Sequence, residues 1–316
     1  MNKKKQEKKM FPVLVEYGHG DQYIDVTIQA LRKCLVHDVL IIPPGDDARN
    51  ELFTDPFFGV FKSIAITDNE SKKIYAIGET AKRTVEEKKN PGMRALNEME
   101  WLYSRLRLVN GMTFEESYIQ QLLSVLFIPP EATVLEIGSG IGRNTLILAS
   151  ILRSPHTKLV ALECNPAQYF QLEANQVENQ LSFHVENVAL SALPIMQRGL
   201  TTFPIPKDGI VHADCELVNT TTFTDLETKH RCCFDTLVVD CGMAFLDLLF
   251  EDSVNVLKNI QLIIFVNAFQ TEKTSIMEKM LGQYNLEKIY HYPGAKNPDY
   301  HQVWAIRTQK KVVVHI

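Results

Sequence analysis

Past Pro130 the apolar residues fall into short buried-type runs separated by longer amphipathic stretches. Runs at 133–137, 158–163, 182–186, 235–240 and 261–266 read as strands, and the segments at 145–152, 167–177, 245–258 and 272–284 carry a helical period. Strands that alternate with helices predict βαβ units, hence a parallel sheet covered on both faces. Two further runs, 286–292 and 301–307, are joined by the turn-rich 293–299 and must therefore be antiparallel neighbours. The expected fold class is α/β: a doubly wound, mostly parallel, seven-stranded sheet that ends in an antiparallel hairpin.

The N-terminal third has a different texture. From Phe11 to about Ile77 short apolar or alternating runs are punctuated by Gly, Pro and Asp, with Pro43-Pro44-Gly45 as a turn, which predicts a small β-rich domain. Between Ser71 and Pro130 the pattern becomes helical. Trp101, Leu102 and Leu106 mark one amphipathic segment, and Thr113 with Glu116 makes a capping-box signature ahead of a helix that Pro129-Pro130 ends. Lys3, Lys4, Lys5, Lys8 and Lys9 form a charge block without apolar periodicity. The expected divisions are a basic tail over 1–10, the β-rich domain over 11–80, a helical connector over 81–130 and the α/β domain over 131–316.

Composition narrows the function classes. The 316 residues carry a formal charge of −5, which offers no global attraction to nucleic acid. Six cysteines show neither a C-x-x-C spacing nor a zinc-ligand pattern, so free thiols and no metal are expected. The apolar run around 262–266 is far below the ~20 residues of a membrane helix. A cytoplasmic protein without a membrane span is the resulting expectation.

The sharpest chemical signal is Val134-Leu135-Glu136-Ile137-Gly138-Ser139-Gly140-Ile141-Gly142, a strand running into glycines ahead of a helix near Asn144. Glycines there allow a tight turn and close approach of a ligand. The spacing is G-x-G-x-G rather than the dinucleotide G-x-G-x-x-G, and the acid Glu136 would repel a pyrophosphate and meet a cationic ligand instead. Glu163 ends the second strand, where a carboxylate accepts ribose hydroxyls; Asn187 follows the third, where an amide could read an adenine edge; Asp240 ends the fourth. Asp240 is the candidate base, the alternative being a cap for the next helix. His184, inside a strand, reads as structural, as do His291 and His301 beside the hairpin loop. His212 and Asp214 have no assigned role, and Cys241 lacks the surroundings of a reactive thiol.

These runs, with Ala161 to Pro166, Asn187 to Ser191 and 220–226 ahead of 234–240, resemble the class I S-adenosylmethionine-dependent methyltransferases, and among them the FkbM family. The resemblance implies a Rossmann-like sheet with S-adenosylmethionine held by Glu136, Gly138, Ser139, Gly140, Gly142, Asn144, Glu163 and Asn187. It also implies transfer to a hydroxyl of a sugar or other small acceptor near Asp240. FkbM proteins continue Asp-Val-Glu-Gly where this chain has Asp240-Cys241-Gly242-Met243, so the expected glutamate is missing. A binding or scaffold protein that keeps the fold without turnover is therefore the alternative. A nucleic-acid acceptor is not expected, since no base-flipping motif is present. Upstream, Tyr17-Gly18-His19-Gly20-Asp21, Asp25-Val26-Thr27, Asp55-Pro56, Gly59 and Lys62 resemble a β-rich module found in some J-domain co-chaperones, which implies a protein-docking role.

Overall fold

The computed structural model describes residues 10–68, 71–85, 90–206, 211, 213–266, 271–292 and 300–307. The lysine block, His212 and the hairpin loop 293–299 lie outside the described residues. The chain divides into two compact units, Met1–Glu98 and Met99–His315.

The first unit contains β1 (Leu14–His19), β2 (Gln22–Asp25), α1 (Thr27–Cys34), β3 (Leu35–Val36), β4 (Val39–Ile42), α2 (Asp46–Phe53), β5 (Ser63–Thr67), β6 (Lys72–Tyr75) and β7 (Ala81–Thr84); α3 (Pro91–Arg105) runs across its end. Two antiparallel sheets form, ordered β2-β1-β5-β6 and β3-β4-β7. Two short helices were not foreseen. Thr27, Leu31 and Cys34 recur at i, i+4 and i+7 and are all buried, which is the signal for α1. The expected helical stretch from Ser71 is corrected as well. β6 and β7 occupy its start as mostly exposed edge strands, each anchored by one buried residue, Tyr75 and Ala81, and helix begins only at Pro91.

The Tyr17, Asp55 and Lys62 positions form a buried ionic knot. Lys62 Nζ lies 2.8 Å from Asp46 and 2.9 Å from Asp55, and the Tyr17 hydroxyl donates to Asp46 Oδ1 and Asn50 Oδ1. Burial alone would depress the Lys62 ammonium, but its bonds to the two carboxylates raise it instead. Gly18 is required by packing: a Cβ would sit 2.0 Å from the Gln22 carbonyl oxygen.

The second unit continues with α4 (Tyr118–Phe127), β8 (Val134–Ile137), α5 (Arg143–Ile151), α6 (Pro155–Lys158), β9 (Leu159–Leu162), α7 (Pro166–Glu178), β10 (His184–Glu186) and β11 (Ala189–Leu190). Then come β12 (Ile195–Arg198), β13 (Thr201–Pro204), β14 (Glu216–Val218), β15 (Thr220–Thr221), α8 (Phe223–His230), β16 (Thr236–Val239), α9 (Met243–Leu257), β17 (Leu262–Val266), α10 (Thr271–Gln283), β18 (Leu286–Tyr292) and β19 (His301–Ile306). Seven strands make one sheet in the order β10-β9-β8-β16-β17-β19-β18. The first five are parallel and β19 is antiparallel to both neighbours, as the pattern predicts. Every residue of β8, β9, β16 and β17 is buried, because helices cover both faces. From β8 the chain winds outward to β9 and β10, then returns to add β16 on the other side. That reversal puts a topological switch point at the carboxyl ends of β8 and β16.

Two local expectations are corrected here. Thr113 and Glu116 do not cap a helix: α4 starts at Tyr118, and Glu116 instead pairs with Arg143 at 2.7 Å while the Thr113 carbonyl accepts from Arg143 Nε at 2.8 Å. Residues 195–198, 201–204 and 216–218, to which the sequence pattern assigned no element, form an antiparallel sheet ordered β13-β12-β14. Its hairpin turns through Gly199 at φ +59° with Leu200, a two-residue connection that places glycine where positive φ is needed.

Candidate functional site

The loop from β8 to α5 is built by glycine backbone. Gly138 (φ +82°) and Ser139 both donate their N–H to the Leu162 carbonyl at 3.0 Å, and the Ser139 hydroxyl adds a third bond at 3.1 Å. A Cβ on Gly138 would lie 2.3 Å from the Asp240 carbonyl oxygen, so only glycine lets the ends of β8 and β16 approach. Gly140 donates its N–H to Glu163 Oε2 at 2.8 Å, which ties the loop to the end of β9. Asn165 N–H holds the other oxygen, Oε1, at 2.7 Å.

Beneath the loop Glu136 is 2% exposed. It accepts from Asn144 Nδ2 at 2.8 Å and Thr145 Oγ1 at 2.5 Å. Burial pushes its carboxyl up to about 7 against the pull of those donors, and the nearby Asp240 charge adds to the rise. Burial raises Glu163 as well, with its backbone donors opposing. Asp240 opens into the cavity, yet the surrounding protein and the Glu163 charge raise it to about 6. Three carboxylates brought this close favour a cation among them.

They share a cavity of about 490 Å³ at the switch point, within the range of small-molecule sites. Of the expected residues, Glu136, Gly138, Ser139, Gly140, Asn144, Glu163 and Asp240 line it. Gly142 and Asn187 do not. Gly142 starts α5 at φ +92° and packs on Leu172, whose Cδ1 would be 2.3 Å from an added Cβ. Asn187 spends its amide donors on the Glu163 and Cys164 carbonyls at 2.8 and 3.2 Å, so it fixes the ends of β9 and β10 while its neighbour Val188 forms the wall. Asp240 does not cap α9, whose cap is Gly242 without a side-chain bond.

The other expected positions divide similarly. Cys241 is in the wall, but burial holds its thiol far above the range of a nucleophile. His184 stacks on His230 with centroids 4.5 Å apart at the sheet edge. Burial lowers His301 to about 4, and its Nδ1 has no hydrogen-bond partner among the described residues. Asp214 pairs with Arg198 on the outer hairpin at 3.0 Å. No group of three or more potential metal ligands occurs among the described residues, nor any helix long and apolar enough to cross a membrane.

Several wall residues carried no sequence signal. Gln197, Thr201, Thr202 and Phe203 come from β12 and β13, Leu200 from the turn between them, and Asp247 and Glu251 from α9. Glu251 accepts from Ser191 Oγ at 3.0 Å and from the Ala192 N–H at 2.9 Å, anchoring the start of the β12–β13 segment to α9. The two-residue turn at Gly199-Leu200 was the available clue.

No family model matches the chain, and no curated protein is similar to it. Among solved structures it aligns with the ribosomal protein L11 methylase of Lactobacillus delbrueckii subsp. bulgaricus at 12% identity, covering 63% of this chain and 83% of that one with a TM-score of 0.40. A Streptococcus pneumoniae protein assigned as a tRNA methyltransferase, in complex with S-adenosyl-L-methionine, aligns at 11% identity over 64% of this chain and 76% of that one, TM-score 0.40. A Klebsiella pneumoniae protein assigned as an O-methyltransferase aligns at 15% over 70% and 91%, TM-score 0.39. Alignments at this level leave activity and acceptor to the chemistry of the site itself.

Proposed function

We propose that this chain is an S-adenosylmethionine-dependent methyltransferase of FkbM type that methylates a hydroxyl of a sugar or other small acceptor. The observation that carries the reading is the cavity at the switch point, where Glu136, Glu163 and Asp240 converge under a glycine loop that a Cβ would block at Gly138. The donor set fits this cofactor. Gly140 has φ +55° and its Cβ direction meets nothing nearer than Gln168 Oε1 at 3.4 Å, so the loop's upper surface is open to a ligand. Glu163 would accept the ribose hydroxyls, Glu136 and Asp240 would balance the ammonium and the sulfonium charge, and Val188 would pack on the base.

When bound, the cofactor supplies a methyl on positive sulfur: the acceptor oxygen forms the new C–O bond, the C–S electron pair stays on sulfur, and the hydroxyl proton must leave. Asp240 would take that proton; burial and the Glu163 charge, which raise its carboxyl, support that role. The chain's main contribution is positioning, since in-line placement at ~3–3.5 Å supplies much of the acceleration.

A second reading, cofactor binding without turnover, is favoured by the absence of a glutamate after Asp240. Calorimetry with S-adenosylhomocysteine tests the shared premise: saturable binding supports both readings, and none at millimolar ligand removes both. Release of S-adenosylhomocysteine with any hydroxyl acceptor then separates them. The N-terminal unit, with its ionic knot, is proposed as a protein-docking module.

A further inference from the structure

The cavity continues past the three cofactor carboxylates to a second region between the β12–β13 hairpin and α9. Its walls there are Gln197, Thr201 and Thr202 from the hairpin and Asp247 and Glu251 from the helix. Asp247 and Glu251 are one helical turn apart and share a face. Glu251 is held in place by the Ser191 hydroxyl and the Ala192 N–H. Asp247 makes no hydrogen bond or ion pair among the described residues. Lys273 draws on it from a distance, its ammonium being directed at Met243 Sδ at 3.6 Å.

The charge of the whole wall is one-sided. Five carboxylate side chains line it, Glu136, Glu163, Asp240, Asp247 and Glu251, against the one guanidinium of Arg143. Arg143 is already committed to Glu116 and to the Thr113 carbonyl. The cofactor's own cationic groups answer the three acids at the strand ends. Asp247 and Glu251, on the helix that follows, are left for whatever occupies the second region. A phosphorylated acceptor or a nucleic-acid backbone would meet uncompensated negative charge there and lose its hydration without a partner.

We infer that the region between the β12–β13 hairpin and α9 is the acceptor subsite and that it takes a hydroxyl acceptor carrying an ammonium group, held by Asp247 and Glu251. This rests on the cofactor reading above. Gln197 and Thr202, cross-strand partners on one face of the hairpin, supply neutral hydrogen bonds for the rest of such a molecule, and Leu200 at the turn supplies apolar cover. An amino sugar or an amino alcohol has this chemistry. Its N-acetylated form does not, and neither does a sugar phosphate.

The test uses the full chain saturated with S-adenosylhomocysteine and ligand-observed saturation-transfer NMR near neutral pH. The probes are glucosamine, tyramine and ethanolamine, each beside its N-acetylated counterpart, with glucose 6-phosphate as the anionic probe. At least one amine should give signals that its acetylated partner lacks, and glucose 6-phosphate should give none. Asp247→Asn should weaken the amine about tenfold or more, the loss of one charge-assisted contact, and Glu251→Gln should do the same. Calorimetry on the same samples should show S-adenosylhomocysteine affinity unchanged in Asp247→Asn, which reports that the cofactor region is intact. Amines that give no signal while S-adenosylhomocysteine binds would overturn this inference alone, as would acetylated or phosphorylated probes that bind equally well. Failure of S-adenosylhomocysteine itself to bind would overturn the cofactor reading and this inference with it.

Discussion

Replacing Glu136 by Gln should make the unliganded protein more stable and the cofactor site weaker. The Glu136 carboxyl is buried and raised from 4.5 to about 7, so folding near neutral pH either carries a costly buried charge or takes up a proton. At about 1.4 kcal/mol for each tenfold change in proton affinity, that difference is on the order of 3 kcal/mol. The sign follows from a folded-state value above the unfolded one. The native state binds the extra proton, so this group's contribution is greatest below about pH 4.5 and is lost progressively as pH rises through about 7. Glutamine is isosteric and neutral; its oxygen can accept from Asn144 Nδ2 while its amide donates to the Thr145 hydroxyl, so the neighbours at 2.8 and 2.5 Å remain paired. Both tryptophans, Trp101 and Trp304, lie in the second unit, and urea unfolding followed by their fluorescence therefore reports that unit. Glu136→Gln should match the parent at about pH 5 and exceed it by about 2–3 kcal/mol at about pH 8. Binding of S-adenosylhomocysteine should weaken about tenfold to a hundredfold through loss of a charge-assisted partner. A variant that is less stable than the parent at about pH 8, or that keeps the parent's pH slope, would refute the reasoning.

Gly140→Arg should abolish S-adenosylhomocysteine binding in calorimetry, because a side chain there enters the cavity from a φ of +55° that itself disfavours any residue but glycine; tryptophan fluorescence should show the second unit still folded. Lys62→Met should cost the first unit roughly 3 kcal/mol by leaving Asp46 and Asp55 without their cation, seen as a lowered transition in scanning calorimetry with the second unit's tryptophan signal unchanged. The Asp46 carboxyl is held below its usual range by its bonds to Lys62 and Tyr17 despite the opposing effect of burial. Its stabilisation is therefore present above about pH 4, and acidification through its lowered value should lower the same transition. Asn187→Ala removes two bonds to the Glu163 and Cys164 carbonyls and should cost about 1–2 kcal/mol of second-unit stability in urea; an effect confined to S-adenosylhomocysteine affinity would instead mean that Asn187 touches the ligand.

The alternation of largely apolar strands with amphipathic helices from 133 to 284, and the two runs 286–292 and 301–307, were sufficient to predict the seven-stranded sheet and its antiparallel end, because burial of the central strands on both faces leaves a clear local pattern. The glycine loop was equally legible: positive φ at Gly138, Gly140 and Gly142 is a requirement that sequence itself expresses. Other features depended on neighbours distant in the chain. Gly142 and Asn187 carry the same residue types as cavity-lining positions, yet Leu172 claims one and the β9 carbonyls claim the other. Thr113 and Glu116 spell a cap locally, but Arg143, thirty residues on, recruits both. Asp247 and Glu251 look like ordinary solvent-facing acids of an amphipathic helix, and only the fold shows that they line the same cavity as the β12–β13 hairpin. Local pattern determined which segments pair and where the backbone must turn; only three-dimensional packing decided which polar side chains are used up in holding the frame and which remain to meet a ligand, because that depends on contacts between residues the chain order keeps apart.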